Sequence, residues 1–135
     1  MEKNILIVAH GGLAEAIKNS AELFAGPQND LHFVNLEPQM GTEELRENIL
    51  KKISKQKLNV VLVDIPGGTP CNECLKIAID TPNMILISGV NLAMVLETVL
   101  YNGGEDEIAT SIMNAGTSSV RNMTEELKNI SIEED

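Results

Sequence analysis

Residues Asn4-Ile5-Leu6-Ile7-Val8-Ala9 form an aliphatic run that ends abruptly at His10-Gly11-Gly12. A run without polar alternation predicts a strand covered on both faces, as in a parallel sheet flanked by helices. Directly after the glycines, Leu13, Ala16, Ile17, Ala21, Leu23 and Phe24 recur at helical spacing, and Gly26-Pro27 closes the segment. Strand, glycine turn and helix in direct succession are the building unit of open α/β sheets.

The alternation continues along the chain. Residues 31–36 predict a second strand, and Thr42, followed by Glu43 and Glu44, predicts an N-cap and an acidic first turn. Leu45, Ile49, Leu50 and Ile53 supply the inner stripe of that helix. Residues 60–63 predict a third buried strand that ends at Asp64. In Pro66-Gly67-Gly68-Thr69-Pro70 the threonine predicts an N-cap and Pro70 a first helical residue. Residues 84–87 predict a fourth strand, with helices over 92–100 and 105–114. The fold expected is therefore α/β: one domain over 1–135, an open, mainly parallel four-stranded sheet with helices on both faces. Val120, Met123, Leu127 and Ile130 fit a further helix, but 117–120 reads equally well as a short strand. Residues 131–135 read as a frayed acidic tail.

Composition narrows the function. Twenty acidic against ten basic residues leave a formal charge of −10, which disfavours nucleic acid and anionic membrane surfaces as partners. Only 2% of residues are aromatic, so base-stacking platforms are missing as well. No apolar run approaches the roughly 18 residues of a membrane span, and no signal-peptide pattern precedes the first strand. The expected compartment is the cytoplasm, where Cys71 and Cys74 stay reduced.

In open parallel sheets, sites form at the carboxyl ends of strands. His10 and Asp64 both stand at such ends. An imidazole is a nucleophile near neutral pH, and a carboxylate on one ring nitrogen leaves the other free to attack. Gly11, Gly67 and Gly68 would let backbone N–H groups approach an anion at helix N-termini, with the Thr69 hydroxyl beside them. No Gly-Lys-Ser/Thr follows the glycines, and no dinucleotide-binding glycine pattern is present. Cys71-Asn72-Glu73-Cys74 admits a dithiol redox reading, a thiolate metal site completed by His10, or simple packing of small residues at a helix start. Packing is the expectation. His32 is expected to face outward and is assigned no role.

Three separated segments together resemble one family. Ile7-Val8-Ala9-His10-Gly11, then Val63-Asp64-Ile65-Pro66-Gly67-Gly68-Thr69-Pro70-Cys71-Asn72, then Ser88-Gly89-Val90-Asn91-Leu92-Ala93-Met94 resemble the enzyme IIA component of the mannose-type sugar phosphotransferase system. The resemblance implies that His10 accepts a phosphoryl group at Nε2 from the carrier HPr and passes it to an enzyme IIB, here expected on a separate chain. It implies that Asp64 holds Nδ1–H, that Thr69 lies beside the phosphoryl group, and that no metal or other cofactor takes part. It also implies a homodimer peripheral to membrane IIC and IID components. In that dimer an antiparallel strand near residues 117–123 is exchanged between subunits. Ala93 where the family often has proline, Cys71 where an aromatic is common and Pro66 at a variable position leave the proposed chemistry untouched. Two alternatives stand beside this reading: a phosphotransfer subunit serving dihydroxyacetone kinase, whose family usually lacks the Gly-Gly-Thr-Pro stretch, and a dithiol redox protein using Cys71 and Cys74.

Overall fold

The computed structural model describes residues 2–134, with side chains through residue 130. The central strand is β1 (Lys3–His10), the run quoted above. It pairs in parallel with β2 (Leu31–Leu36) on one side and β3 (Leu58–Val63) on the other. Beyond β3 lies β4 (Met84–Ser88), also parallel, so the sheet order is β2-β1-β3-β4. The helices between and after the strands are α1 (Leu13–Ala25), α2 (Thr42–Leu50), α3 (Thr69–Ile79), α4 (Leu92–Leu100), α5 (Ile108–Ser118) and α6 (Met123–Glu134). A single 3-10 turn (Glu105–Glu107) leads into α5. No helix among the described residues is long and apolar enough to cross a membrane.

The aliphatic run of β1 is explained by its position. Ile5, Ile7 and Ala9 point to one face, where they meet Ala14 and Ala21 of α1, Met94 and Val95 of α4, and Ile108 and Ile112 of α5. Leu6 and Val8 point to the other, against Leu45 and Ile49 of α2 and Cys71, Cys74 and Ile77 of α3. Each aliphatic side chain fully buried this way contributes roughly 1.5–3 kcal/mol. The helix after β1 and the helix after β3 therefore lie on opposite faces. Their loops diverge and leave a crevice between the carboxyl ends of two adjacent strands, the switch point of the topology.

Two polar features interrupt the apolar layers. At the amino end of the sheet, Asn4 and Asn59 are buried neighbours in register, joined by Asn4 Nδ2 donating to Asn59 Oδ1 at 2.9 Å. Asn59 Nδ2 also donates to the Ser54 carbonyl at 2.8 Å and Asn4 Nδ2 to that of Lys52 at 2.7 Å, so the pair fastens the turn between α2 and β3. Between α2 and α3, the Glu73 carboxylate is only 2% exposed and accepts two bonds from Arg46, at 2.6 and 2.9 Å, and one from Lys76 at 2.9 Å.

Local expectations hold with some corrections. Thr42 and Thr69 are the first residues of α2 and α3, and Gly41 and Gly68 take the cap positions with no side-chain cap bond. Asn91 does cap α4, accepting from the Met94 N–H at 3.0 Å, while its own Nδ2 donates to the Gly116 carbonyl at 3.2 Å. The stretch 117–123 is not a strand. Thr117 and Ser118 close α5, with the Thr117 hydroxyl donating back to the Met113 carbonyl at 3.0 Å. Asn122 then accepts from the Glu125 N–H at 3.1 Å and starts α6. Only residues 119–122 between the two helices belong to neither. The α6 backbone runs to Glu134; Asp135 and the side chains of 131–134, where the frayed acidic tail was expected, lie outside the described residues.

The Glu73 cluster gives a stability prediction. The Lys76 bond lowers the Glu73 carboxyl most; burial works against it, and the Arg46 bonds add to the lowering, with a net position below the usual carboxylate range. The unfolded carboxyl titrates near about 4.3. Stabilisation from this group is thus complete above that value and disappears as pH falls through the lower folded value. Urea unfolding should show Glu73→Gln about 2 kcal/mol less stable than the wild type at neutral pH. The gap should close on acidification.

Candidate functional site

His10 is the last residue of β1, and Asp64 follows directly on β3. Because the strands are adjacent and in register, the two side chains meet. Asp64 Oδ2 accepts from the His10 backbone N–H at 2.9 Å and lies 2.7 Å from His10 Nδ1. Oδ1 accepts from the Ile65 N–H at 2.9 Å. Burial pushes the Asp64 carboxyl up, but the bonds from the His10 backbone, the imidazole and the Ile65 N–H outweigh it. Asp64 ends below the usual carboxylate range and is ionised at neutral pH. An ionised carboxylate only accepts, so Nδ1 carries the proton and Nε2 carries the lone pair. The imidazole is 48% exposed and the carboxylate 10%. Nε2 has no partner among the described residues.

The glycines divide into distinct roles. Gly11 turns the chain at φ +60°, but its N–H is already donated to the Leu36 carbonyl at 2.9 Å. It supplies the bend, and the amide expected to reach an anion is taken. Gly67, at φ +80°, reverses the chain after β3. The N–H groups of Gly67, Gly68 and Thr69 donate to no described residue, as is normal for donors at a helix start. They stand at the N-terminus of α3, whose first residue is the half-buried Thr69; Gly68 lies next to the His10 ring, and no Lys or Arg lies in 64–72. The arrangement is a neutral set of donors next to an exposed, oriented nucleophile, suited to a small anion such as a phosphoryl group.

A family model described as "PTS system fructose IIA component" matches residues 4–115. The chain belongs to this family, the mannose-type IIA components. The fructose-specific EIIA component of Bacillus subtilis is 32% identical over 99 residues, covering 71% of this chain and 68% of that relative. The mannose-specific EIIAB component of Escherichia coli K12 is 30% identical over 123 residues, or 87% of this chain; the chain spans 38% of the length of that relative. The crystal structure of the EIIA component from Streptococcus agalactiae superposes with a TM-score of 0.84 at 26% identity, covering 91% of this chain and 98% of that one.

The remaining candidates of this IIA chain stand apart from the crevice. Cys71 and Cys74 are buried on the α3 side of the sheet, and burial, with Cys71 and Glu73 nearby, pushes the Cys74 thiol up to about 12. An attacking dithiol needs the opposite shift, so the packing reading fits. No group of three or more His, Cys, Asp or Glu among the described residues is arranged to hold a metal. His32 is half-buried on edge strand β2, and burial, followed by the Lys52 charge, pushes its imidazole down. One helper escaped sequence reading. Gly12, the cap position of α1, has no side chain to offer, and Asn35 at the end of β2 substitutes. Its Oδ1 accepts from the Glu15 N–H at 3.3 Å and its Nδ2 donates to Glu15 Oε1 at 3.1 Å. A glycine at a helix cap was the available signal that the cap comes from elsewhere.

Asp64→Asn should keep the shape of the crevice but offer His10 an amide, which opposes a donor to Ile65 N–H in one orientation and to His10 N–H in the other. Nitrogen NMR is simple in a chain with two histidines. The His10 signals should move from the Nδ1–H form of the wild type toward a mixture of the two tautomers.

Proposed function

We propose that the protein is a phosphohistidine relay for coupled sugar uptake and phosphorylation, with His10 as phosphoryl acceptor and Asp64 as the group that orients it. The 2.7 Å contact between His10 Nδ1 and Asp64 Oδ2 carries this reading, because in the neutral ring it puts the proton on Nδ1 and the lone pair on Nε2 of a half-exposed imidazole. The donor is the phosphohistidine of HPr and the recipient a IIB component. In the first transfer the donor P–N bond breaks and a new P–N bond forms at Nε2. The Nδ1 proton stays in place, and Asp64 stabilises the positive character the ring acquires. The N–H groups of Gly67, Gly68 and Thr69, with the Thr69 hydroxyl, hold the phosphoryl oxygens. Gly11 contributes the turn that presents the imidazole. Without a cationic side chain in the cradle, the group is positioned but not trapped, as onward transfer requires.

The relay works in the cytoplasm, peripheral to IIC and IID membrane components, with no metal or other cofactor. The sugar-specific names of the relatives and the Gly67-Gly68-Thr69-Pro70 stretch favour sugar uptake over service to dihydroxyacetone kinase. The protein acts as a homodimer. Support comes from the free edge of β4, the apolar groove beside it lined by Leu86, Met94, Met113 and Val120, and the exposed Val120 and Met123 at 81% and 61%. A second copy would cover all of these.

Intact mass, measured at mildly alkaline pH after incubation with phosphoenolpyruvate, enzyme I and HPr, should rise by one phosphoryl group in the wild type and not in His10→Ala. A wild type that stays unmodified beside charged HPr sinks the relay. Sedimentation equilibrium should give a dimer for the wild type and a monomer for Val120→Glu/Met123→Glu; a monomeric wild type would refute the second copy.

A further inference from the structure

Two adjacent glycines after β3 serve different physical ends. Gly67 needs its positive φ, and a Cβ built there meets nothing within 4 Å. Gly68 is the reverse. Its φ of −82° and ψ of 168° suit any residue, so the backbone does not call for glycine. What forbids a side chain is proximity: a Cβ on Gly68 would lie 3.0 Å from His10 Cε1 and 3.2 Å from Ile65 Cγ1. Cε1 is the ring carbon between the two nitrogens, one bonded to Asp64 and the other left open. The space that a Gly68 side chain would fill therefore lies against the edge of the imidazole, between its anchored and its reactive atom.

We propose that Gly68 is a positioning residue for His10: by carrying no side chain it leaves the room in which the imidazole takes the orientation where Nδ1 reaches Asp64 and Nε2 is open. The inference rests on the reading of His10 as phosphoryl acceptor and adds a second requirement to it. A single hydrogen bond to Nδ1 holds the ring only while its edge is free to lie where it does. The groups that would yield to a methyl are both side chains: the half-exposed imidazole and the exposed Ile65. Side chains give by a few tenths of an ångström at little cost, so the fold survives and the change falls on the ring. The ring tilts, the directional bond to Asp64 weakens, and the Nδ1–H form loses its hold. Conversely, shortening Ile65 opens room on the other flank of the methyl while leaving the Ile65 N–H bond to Asp64 intact.

Gly68→Ala should keep the circular dichroism and melting temperature of the wild type. Its His10 nitrogen signals at mildly alkaline pH should shift from Nδ1–H toward Nε2–H, and its rate of phosphoryl acceptance should fall roughly ten-fold. Ile65→Ala added to Gly68→Ala should restore the wild-type nitrogen signals. Unchanged His10 signals in Gly68→Ala would overturn the proposal, and so would failure of the double variant to recover. Loss of fold in Gly68→Ala would show that the backbone yields instead of the ring, and would overturn it too. The nitrogen signals need no phosphoryl donor, so they decide the role of Gly68 even if the wild type proves unable to accept a phosphoryl group. That second result would count against the relay alone.

Discussion

The bond between His10 and Asp64 joins the ends of two strands that are neighbours in space but 54 residues apart in sequence. Everything else in the molecule serves that adjacency. The chain leaves β1 toward one face and β3 toward the other, so the loops part and the two side chains face each other across a crevice open to solvent. Were β2 between them, the same residues would be two strand spacings apart, near about 10 Å, and could not share a proton.

The carboxylate does more than hold a ring nitrogen. It also takes the backbone N–H of the same histidine, and its second oxygen takes the N–H of the next residue along its own chain. Three donors on a nearly buried acid keep it charged, and a charged acid dictates the tautomer of its partner. The tautomer of the half-exposed imidazole is thus set from its Nδ1 side. The loop beside it, residues 64–72, carries no cationic side chain.

Much of this was legible in the sequence because the signals were local. The aliphatic runs at 4–9 and 60–63 read as strands buried on both sides, and each ends at a candidate site residue, His10 or Asp64. Helix spans came from apolar spacing, and the four-stranded parallel sheet from alternation. What escaped depends on distant partners. Thr42 and Thr69 look like caps, yet the glycines before them occupy those places. Gly11 looks like an anion donor, but Leu36, brought alongside by strand pairing, already uses its N–H. Asn35 caps a helix twenty residues earlier, which no local pattern reports. Residues 117–120 balanced between strand and helix on periodicity; α5 ends at Ser118 and α6 begins at Met123, with Thr117 and Asn122 each bonded to the helix it adjoins.

The asparagine pair at the opposite end of the sheet has a consequence for the reactive end. β1 and β3 are nearly uniform in their aliphatic content, so sliding one along the other by two residues would keep every apolar side chain on its proper face. Such a slip would carry the imidazole about 6.6 Å from its carboxylate. It would also break the bond between the two buried amides, a net cost of about 1 kcal/mol. Asn4 and Asn59 are the one buried polar match between the two strands, and they sit opposite each other only in the observed alignment. The greasy body of the sheet is a ruler without markings, and these two amides are its zero.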